Sequence, residues 1–133
     1  PVPWCTYTDP EIAHVGLYPR EADARGLDAQ VFVQELRDLD RARTEGETEG
    51  FVKILTRKGR LLGATVVAPH AGDMITEIGA AMSGGVALGT LNRVIHPYPT
   101  LAEGIWRAAG AWRRARLTKG VKLLFERWLR WTR

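Results

Sequence analysis

Residues 51–68 read Phe51-Val52-Lys53-Ile54-Leu55-Thr56-Arg57-Lys58-Gly59-Arg60-Leu61-Leu62-Gly63-Ala64-Thr65-Val66-Val67-Ala68. Two aliphatic, β-branched runs, Phe51–Thr56 and Leu61–Ala68, flank the polar break Arg57-Lys58-Gly59-Arg60, a pattern that predicts a β-hairpin. Beyond it, Met74, Ile75, Ile78, Ala81 and Met82 recur at helical spacing, so Ala71–Ser83 is predicted as a helix ended by Gly84-Gly85. Its small residues Gly79, Ala80 and Ala81 would let another element approach closely. Thr90–Ile95 reads as one more short strand or extended segment, leading into His96-Pro97-Tyr98-Pro99-Thr100, where two prolines enforce extended backbone. Thr100 can N-cap a further helix, with Glu103 at capping-box spacing, that runs to about Arg114. Upstream of the hairpin, Pro1–Tyr7 reads as a short strand, Thr8-Asp9-Pro10 as a turn, Tyr18–Arg25 as a short helix closed by Gly26, and Ala29–Leu36 as a strand. Residues 37–50 lack apolar periodicity and read as a solvated connection with at most a frayed helical turn. Helices on one face of a small antiparallel sheet, an α+β layer, is the simplest packing of this order.

Length and composition agree with one compact domain. The 133 residues, 45% of them hydrophobic, suffice for a single core and exclude disorder and low-complexity assembly. No run of about eighteen apolar residues occurs, so no bilayer-spanning helix is expected. Pro1 opens the chain without Met, basic n-region or apolar h-region, so no signal peptide is read there and an excised or processed domain in the cytoplasm is expected. Cys5, the one cysteine, excludes an internal disulfide and a multi-cysteine metal site, and reads as a small half-buried hydrophobe of the first strand.

The charge is unevenly placed. Residues 1–103 hold 10 Lys/Arg and 14 Asp/Glu, whereas residues 104–133 hold 9 Lys/Arg and 1 Asp/Glu, together with four of the five Trp. Leu117–Trp131 is predicted as a basic amphipathic helix with a Trp/Leu/Phe face, following a first domain of residues 1–114. An anionic membrane surface is one partner that such a helix suits, which would make the chain a non-catalytic interaction or membrane-peripheral module; packing of the apolar face on this domain or on absent domains is the other reading. Nucleic acid is not expected, because no reading-module motif accompanies the basic charge.

Recognisable cofactor motifs are missing: no Walker loop, no G-x-G-x-x-G, no C-x-x-C and no H-E-x-x-H. His14, His70 and His96 lie far apart, so no metal site is predicted. The one dense constellation is His96-Pro97-Tyr98-Pro99-Thr100-Leu101-Ala102-Glu103, a rigid loop with two titratable rings and a carboxylate. It supports a functional and an architectural reading alike, since Glu103 suits a helix N-terminus on its own account.

These residues resemble a known family. Pro3-Trp4-Cys5-Thr6-Tyr7-Thr8-Asp9-Pro10-Glu11-Ile12-Ala13-His14-Val15-Gly16-Leu17 is similar to the segment that begins the C-terminal dimerisation domain of pyridine nucleotide-disulfide oxidoreductases, such as dihydrolipoamide dehydrogenase, glutathione reductase and mercuric reductase. Gly50–Ile54, Leu62-Gly63-Ala64 and Ala71–Ile75 resemble that domain's hairpin and following helix, and residues 96–103 resemble its H-x-H-P-T-x-x-E signature. The likeness covers roughly residues 1–110 in order and spacing.

The resemblance implies a homodimerisation domain of an FAD-dependent NAD(P)H oxidoreductase. Its flavin, nicotinamide and redox-disulfide sites would lie in N-terminal domains absent here, so this chain alone is expected to bind neither FAD nor NAD(P)H and to be inactive. It also implies that His96, Tyr98 and Glu103 are lent to the partner subunit's site, with the backbone of Pro97 and Pro99 near its flavin. In the family the signature's second histidine works as acid/base, oriented by the signature's glutamate; here Tyr98 stands in its place, as in a mercuric-reductase-like branch, although the C-terminal cysteine pair of mercuric reductases is missing. Neutral tyrosine, with a reference pKa of about 10, is a poor base near neutral pH but a good hydrogen-bond donor.

Overall fold

The computed structural model describes residues 1–116 and 128–131 of the chain. The hairpin forms as the sequence predicts. Strands β4 (Phe51–Arg57) and β5 (Arg60–Ala68) are joined by Lys58-Gly59, whose φ values of 52° and 87° are both positive, the geometry of a tight two-residue turn. Pairing reaches Arg57 and Arg60, and a register shift at Leu55/Thr56 is bridged by the buried Thr56 hydroxyl donating to the Arg60 carbonyl at 2.8 Å.

Around this hairpin stand β1 (Trp4–Thr6), β2 (Glu11–Gly16) and β3 (Gln30–Glu35), giving one antiparallel sheet of order β1-β2-β5-β4-β3. One face carries Ala13, Val15, Val52, Ile54, Ala64 and Val66, all nearly inaccessible. On it lie α3 (Ala71–Ser83), over β2 and β5, and α5 (Glu103–Ala115), over β3 and β4. Met74, Ile75, Ile78 and Ala81 of α3 and Ile105, Ala108, Ala109 and Trp112 of α5 complete the core. Gly104 lets α5 come close, since a Cβ there would lie 2.9 Å from Val52. The opposite face keeps Trp4, Val31 and Val33 between 43% and 44% exposed, with Lys53 Nζ 4.8 Å from the Phe51 ring. Helix α1 (Pro19–Ala24) matches the sequence reading, with the Tyr18 amide donating to the Glu21 carboxylate at 2.8 Å.

Three expectations need correcting. The fifth strand is Glu11–Gly16, not residues 90–95, which instead form a short helix α4 (Leu88–Leu91) followed by turns. Leu88 and Leu91, three residues apart, are both buried in the core, which the helical turn allows and an alternating strand would not. Strand β2 hides in the sequence because it is central and half-covered on both faces. Ala13 and Val15 face the helices, while His14, on the other face, is only 3% exposed.

Second, residues 37–50 are no solvated connection. A 3₁₀ turn (Leu36–Asp38) and α2 (Asp40–Glu45) bury Leu36, Leu39 and Ala42 completely, a three-residue apolar spacing masked by surrounding charge. Third, no capping box forms at Thr100. Its hydroxyl donates to the Pro97 carbonyl at 2.8 Å, and Glu103 opens α5 and pairs with Arg107.

The predicted helix 117–131 lies outside the described residues apart from 128–131, which are helical. Among the described residues no helix is long and apolar enough to cross a membrane.

Candidate functional site

The loop between α4 and α5 is held from two sides. His96 keeps only 7% of its side chain exposed. Its Nδ1 lies 3.2 Å from the Val94 carbonyl, and its Nε2 lies 3.0 Å and 3.3 Å from the two carboxylate oxygens of Glu77 on α3. Both partners are acceptors, so the ring satisfies them together only when both nitrogens carry a proton. His96 is thus a staple between the loop and α3.

Tyr98 is different. It is 69% exposed, and its hydroxyl donates to Asp40 Oδ2 at 2.8 Å. The bond to Asp40 and that residue's charge hold the phenol above its ordinary value; partial burial and Glu103 push the same way, and Arg107 opposes them weakly. The arrangement therefore presents a neutral phenol, a hydrogen-bond donor rather than a base.

Glu103 is buried at the first turn of α5, where a carboxylate suits the helix dipole. Its Oε1 accepts from Arg107 Nε at 2.8 Å, with Nη2 in ion-pair contact at the same distance, while its Oε2 is buried with no partner among the described residues. Arg107 Nη1 also donates to the Asp38 carbonyl at 2.8 Å, tying α5 to the segment that bears Asp40. Below the loop lies a cavity of about 320 Å³ walled by Val94, Ile95, His96, Tyr98, Glu103 and Trp106, the last fixed by its indole donating to the Asn92 carbonyl at 3.0 Å.

The three predicted site residues, two on the loop and Glu103 in the first turn of α5, therefore share one cavity without bonding to each other. Tyr98 goes to Asp40, His96 to Glu77 and Glu103 to Arg107. Pro97 and Pro99 are exposed, Pro97 with its carbonyl taken up by Thr100. Sequence reasoning missed Asp40, Glu77 and Arg107. Arg107 carried a signal, standing four residues after Glu103 on one helix face. Asp40 is 58 residues from Tyr98 in a charged stretch and carried none.

Because the folded chain holds the Tyr98 proton more tightly than the unfolded one, whose phenol titrates near pH 10, this contribution to stability is complete below about pH 10 and is lost as pH rises through the folded-state value. Asp40→Asn should bring the Tyr98 titration down. Ultraviolet phenolate absorbance, differenced against Tyr98→Phe, reads it; an unmoved titration would remove Asp40 as the cause.

The remaining candidates of the inventory stand apart. Cys5 is half-buried, with Sγ 3.9 Å from Glu11 Oε2. Desolvation first, then the Glu11 charge, push its thiol up, opposite to an activated thiolate. His14 is packed by stacking on Tyr18 at 3.7 Å, with Nδ1 2.9 Å from the Thr65 hydroxyl. Among the described residues no group of three or more His, Cys, Asp or Glu could hold a metal ion.

Comparison with known proteins identifies the frame of this site. The family model described as the pyridine nucleotide-disulphide oxidoreductase dimerisation domain matches residues 2–109. Dihydrolipoyl dehydrogenase 2 of Haloarcula marismortui is 39% identical over 112 residues, 83% of this chain and 24% of that protein. The dihydrolipoyl dehydrogenase of Bacillus subtilis is 38% identical over 110 residues, covering 81% of this chain and 23% of its own length. Among solved structures, LpdA from Mycobacterium tuberculosis superposes with a TM-score of 0.78 at 34% identity, over 83% of this chain and 24% of its own. The Cu(II) complex of the HOCl-induced flavoprotein disulfide reductase RclA from Escherichia coli gives a TM-score of 0.80 at 25% identity, over 83% and 25%. The chain spans about a quarter of the length of these curated relatives. With its sheet order, its two covering helices and the loop before α5, the chain belongs to the dimerisation-domain family of the pyridine nucleotide-disulfide oxidoreductases.

Proposed function

We propose that this chain acts as the homodimerisation domain of an FAD-dependent NAD(P)H oxidoreductase of the disulfide reductase family, and that residues 96–103 are presented to the partner subunit's flavin–disulfide site. The chain's own residues do not fit a flavin: it has no glycine-rich phosphate loop, and its single thiol lies beside a carboxylate. Flavin, nicotinamide and redox disulfide, which together carry hydride and electrons, would be held elsewhere in a longer protein.

Within that reading the residues divide their work. Tyr98 supplies a neutral hydrogen-bond donor at the loop tip, backed by Asp40 as acceptor. His96, through Glu77, and Glu103, through Arg107, fix the loop on which Tyr98 stands. Pro97 and Pro99 lie exposed on either side of Tyr98, where their backbone would neighbour the partner's flavin. One observation carries the proposal: a 69%-exposed tyrosine, on a loop otherwise anchored into the domain, keeps its hydroxyl in a defined bond at the place of the family's acid–base histidine.

In the full-length enzyme, Tyr98→Phe should lower kcat/KM about a hundredfold, the scale of a positioned hydrogen-bond donor, with the dimer and flavin content unchanged. An unaltered rate would reject the loop's role in the reaction. A full-length enzyme that sediments as a monomer at micromolar concentration would reject the dimer.

A further inference from the structure

At the far end of α5 from Tyr98, a second cavity of about 490 Å³ opens between the β4–β5 turn, α4 and the last turn of α5. Lys58, Arg93, Arg113 and Arg116 line it, with Trp112 and Gly59 beneath them, and among the described residues no acidic side chain takes part in its wall. None of the four cations forms an ion pair among the described residues. Arg93 donates to the Thr90 hydroxyl at 3.1 Å, and the Arg116 guanidinium lies 4.9 Å from the Trp112 ring.

From this geometry we infer that the cavity is a binding site for a phosphate-bearing ligand of two or more negative charges. Four like charges converging on one concavity repel each other within a Debye length, and nothing in the wall offsets them. An anion does. Three guanidiniums match phosphate oxygens two at a time, and the lysine adds a mobile charge.

The floor narrows the class further. Trp112 is buried and its ring is already covered by Arg116, so it offers no free face on which a nucleobase could stack. The phosphate is what the site reads. Lys58 adds an independent observation. At φ 52° it occupies a left-handed turn position where Asn or Gly would be less strained, so the turn keeps a cation at a conformational cost. The cavity volume is that of a small-molecule site.

The test titrates the chain with inorganic pyrophosphate at low salt by calorimetry and, in parallel, sediments it with vesicles containing phosphatidic acid, whose phosphomonoester can carry two charges, and with vesicles of phosphatidylcholine. Pyrophosphate should bind saturably, and Lys58→Gln with Arg113→Gln should weaken it about tenfold or more. Arg25→Gln, which removes an exposed cation elsewhere, should change it less than about twofold. All substituted side chains are exposed, and unchanged thermal unfolding confirms the fold. Loss of pyrophosphate binding with vesicle binding intact assigns the site to a soluble phosphate ester. A parallel loss on phosphatidic acid assigns it to a lipid headgroup. Equal weakening by Arg25→Gln, or no saturable binding in either arm, overturns the inference.

Discussion

Replacing Arg107 with methionine should lower the unfolding free energy by about 3 kcal/mol, seen as a fall in the urea midpoint at constant slope. The reason lies in Glu103. Its carboxylate is buried, its hydrogen bond and its ion-pair contact both come from the Arg107 guanidinium, and its second oxygen has no partner among the described residues. Removing one member of such a pair leaves an uncompensated buried charge, which costs about 3–5 kcal/mol. The lower end applies because 31% of the Arg107 side chain is exposed and water can screen what remains. The same substitution cuts the bond to the Asp38 carbonyl, so α5 loses its tie to the segment that positions Asp40. Glu103→Gln in the Arg107→Met background should recover most of the loss, since a neutral amide needs no counter-charge. A single variant within about 0.5 kcal/mol of the parent would show that Glu103 is well solvated and that the pair does not organise the loop.

How much of this was legible beforehand follows the range of each interaction. The hairpin, α1 and α3 announce themselves through local periods of two and 3.6 and through their turn residues. Strand β2 does not, because both its faces are partly covered and its alternation is of Ala and Val against Ile and His rather than apolar against charged. Residues 90–95 carry β-branched residues, but Leu88 and Leu91 need the core more than the segment needs a strand neighbour. The tertiary demand decides.

The site divides in the same way. Resemblance placed His96, Tyr98 and Glu103 in one signature; the structure has His96 and Tyr98 on the loop and Glu103 in the first turn of α5. Which carboxylate serves which ring was beyond reach: Glu77 lies 19 residues from His96 and Asp40 lies 58 from Tyr98. Family spacing suggested Glu103 as the orienting carboxylate, yet Arg107 occupies it. A phenol needs an acceptor rather than a tautomer-fixing partner, and Asp40 meets the need from another element.

Trp112→Ala should be the most destabilising single change, at about 4 kcal/mol of unfolding free energy. The indole is 7% exposed, belongs to the core, and is gripped by two turns of backbone. A Cβ at Gly59 would lie 2.6 Å from its ring and one at Gly89 would lie 3.2 Å away. Truncation leaves a void that these backbones cannot fill without moving, so the cavity term adds to lost burial. Gly59 allows the two causes of its own constraint to be separated. In the parent chain Gly59→Ala meets both the ring clash and the left-handed φ of 87°. In the Trp112→Ala background only the backbone strain remains, about 1 kcal/mol. The double variant should therefore be more stable than the sum of the single effects requires. Equal penalties for Gly59→Ala in both backgrounds would mean that the ring does not press on the turn. The tight turn would then owe its glycine to φ alone.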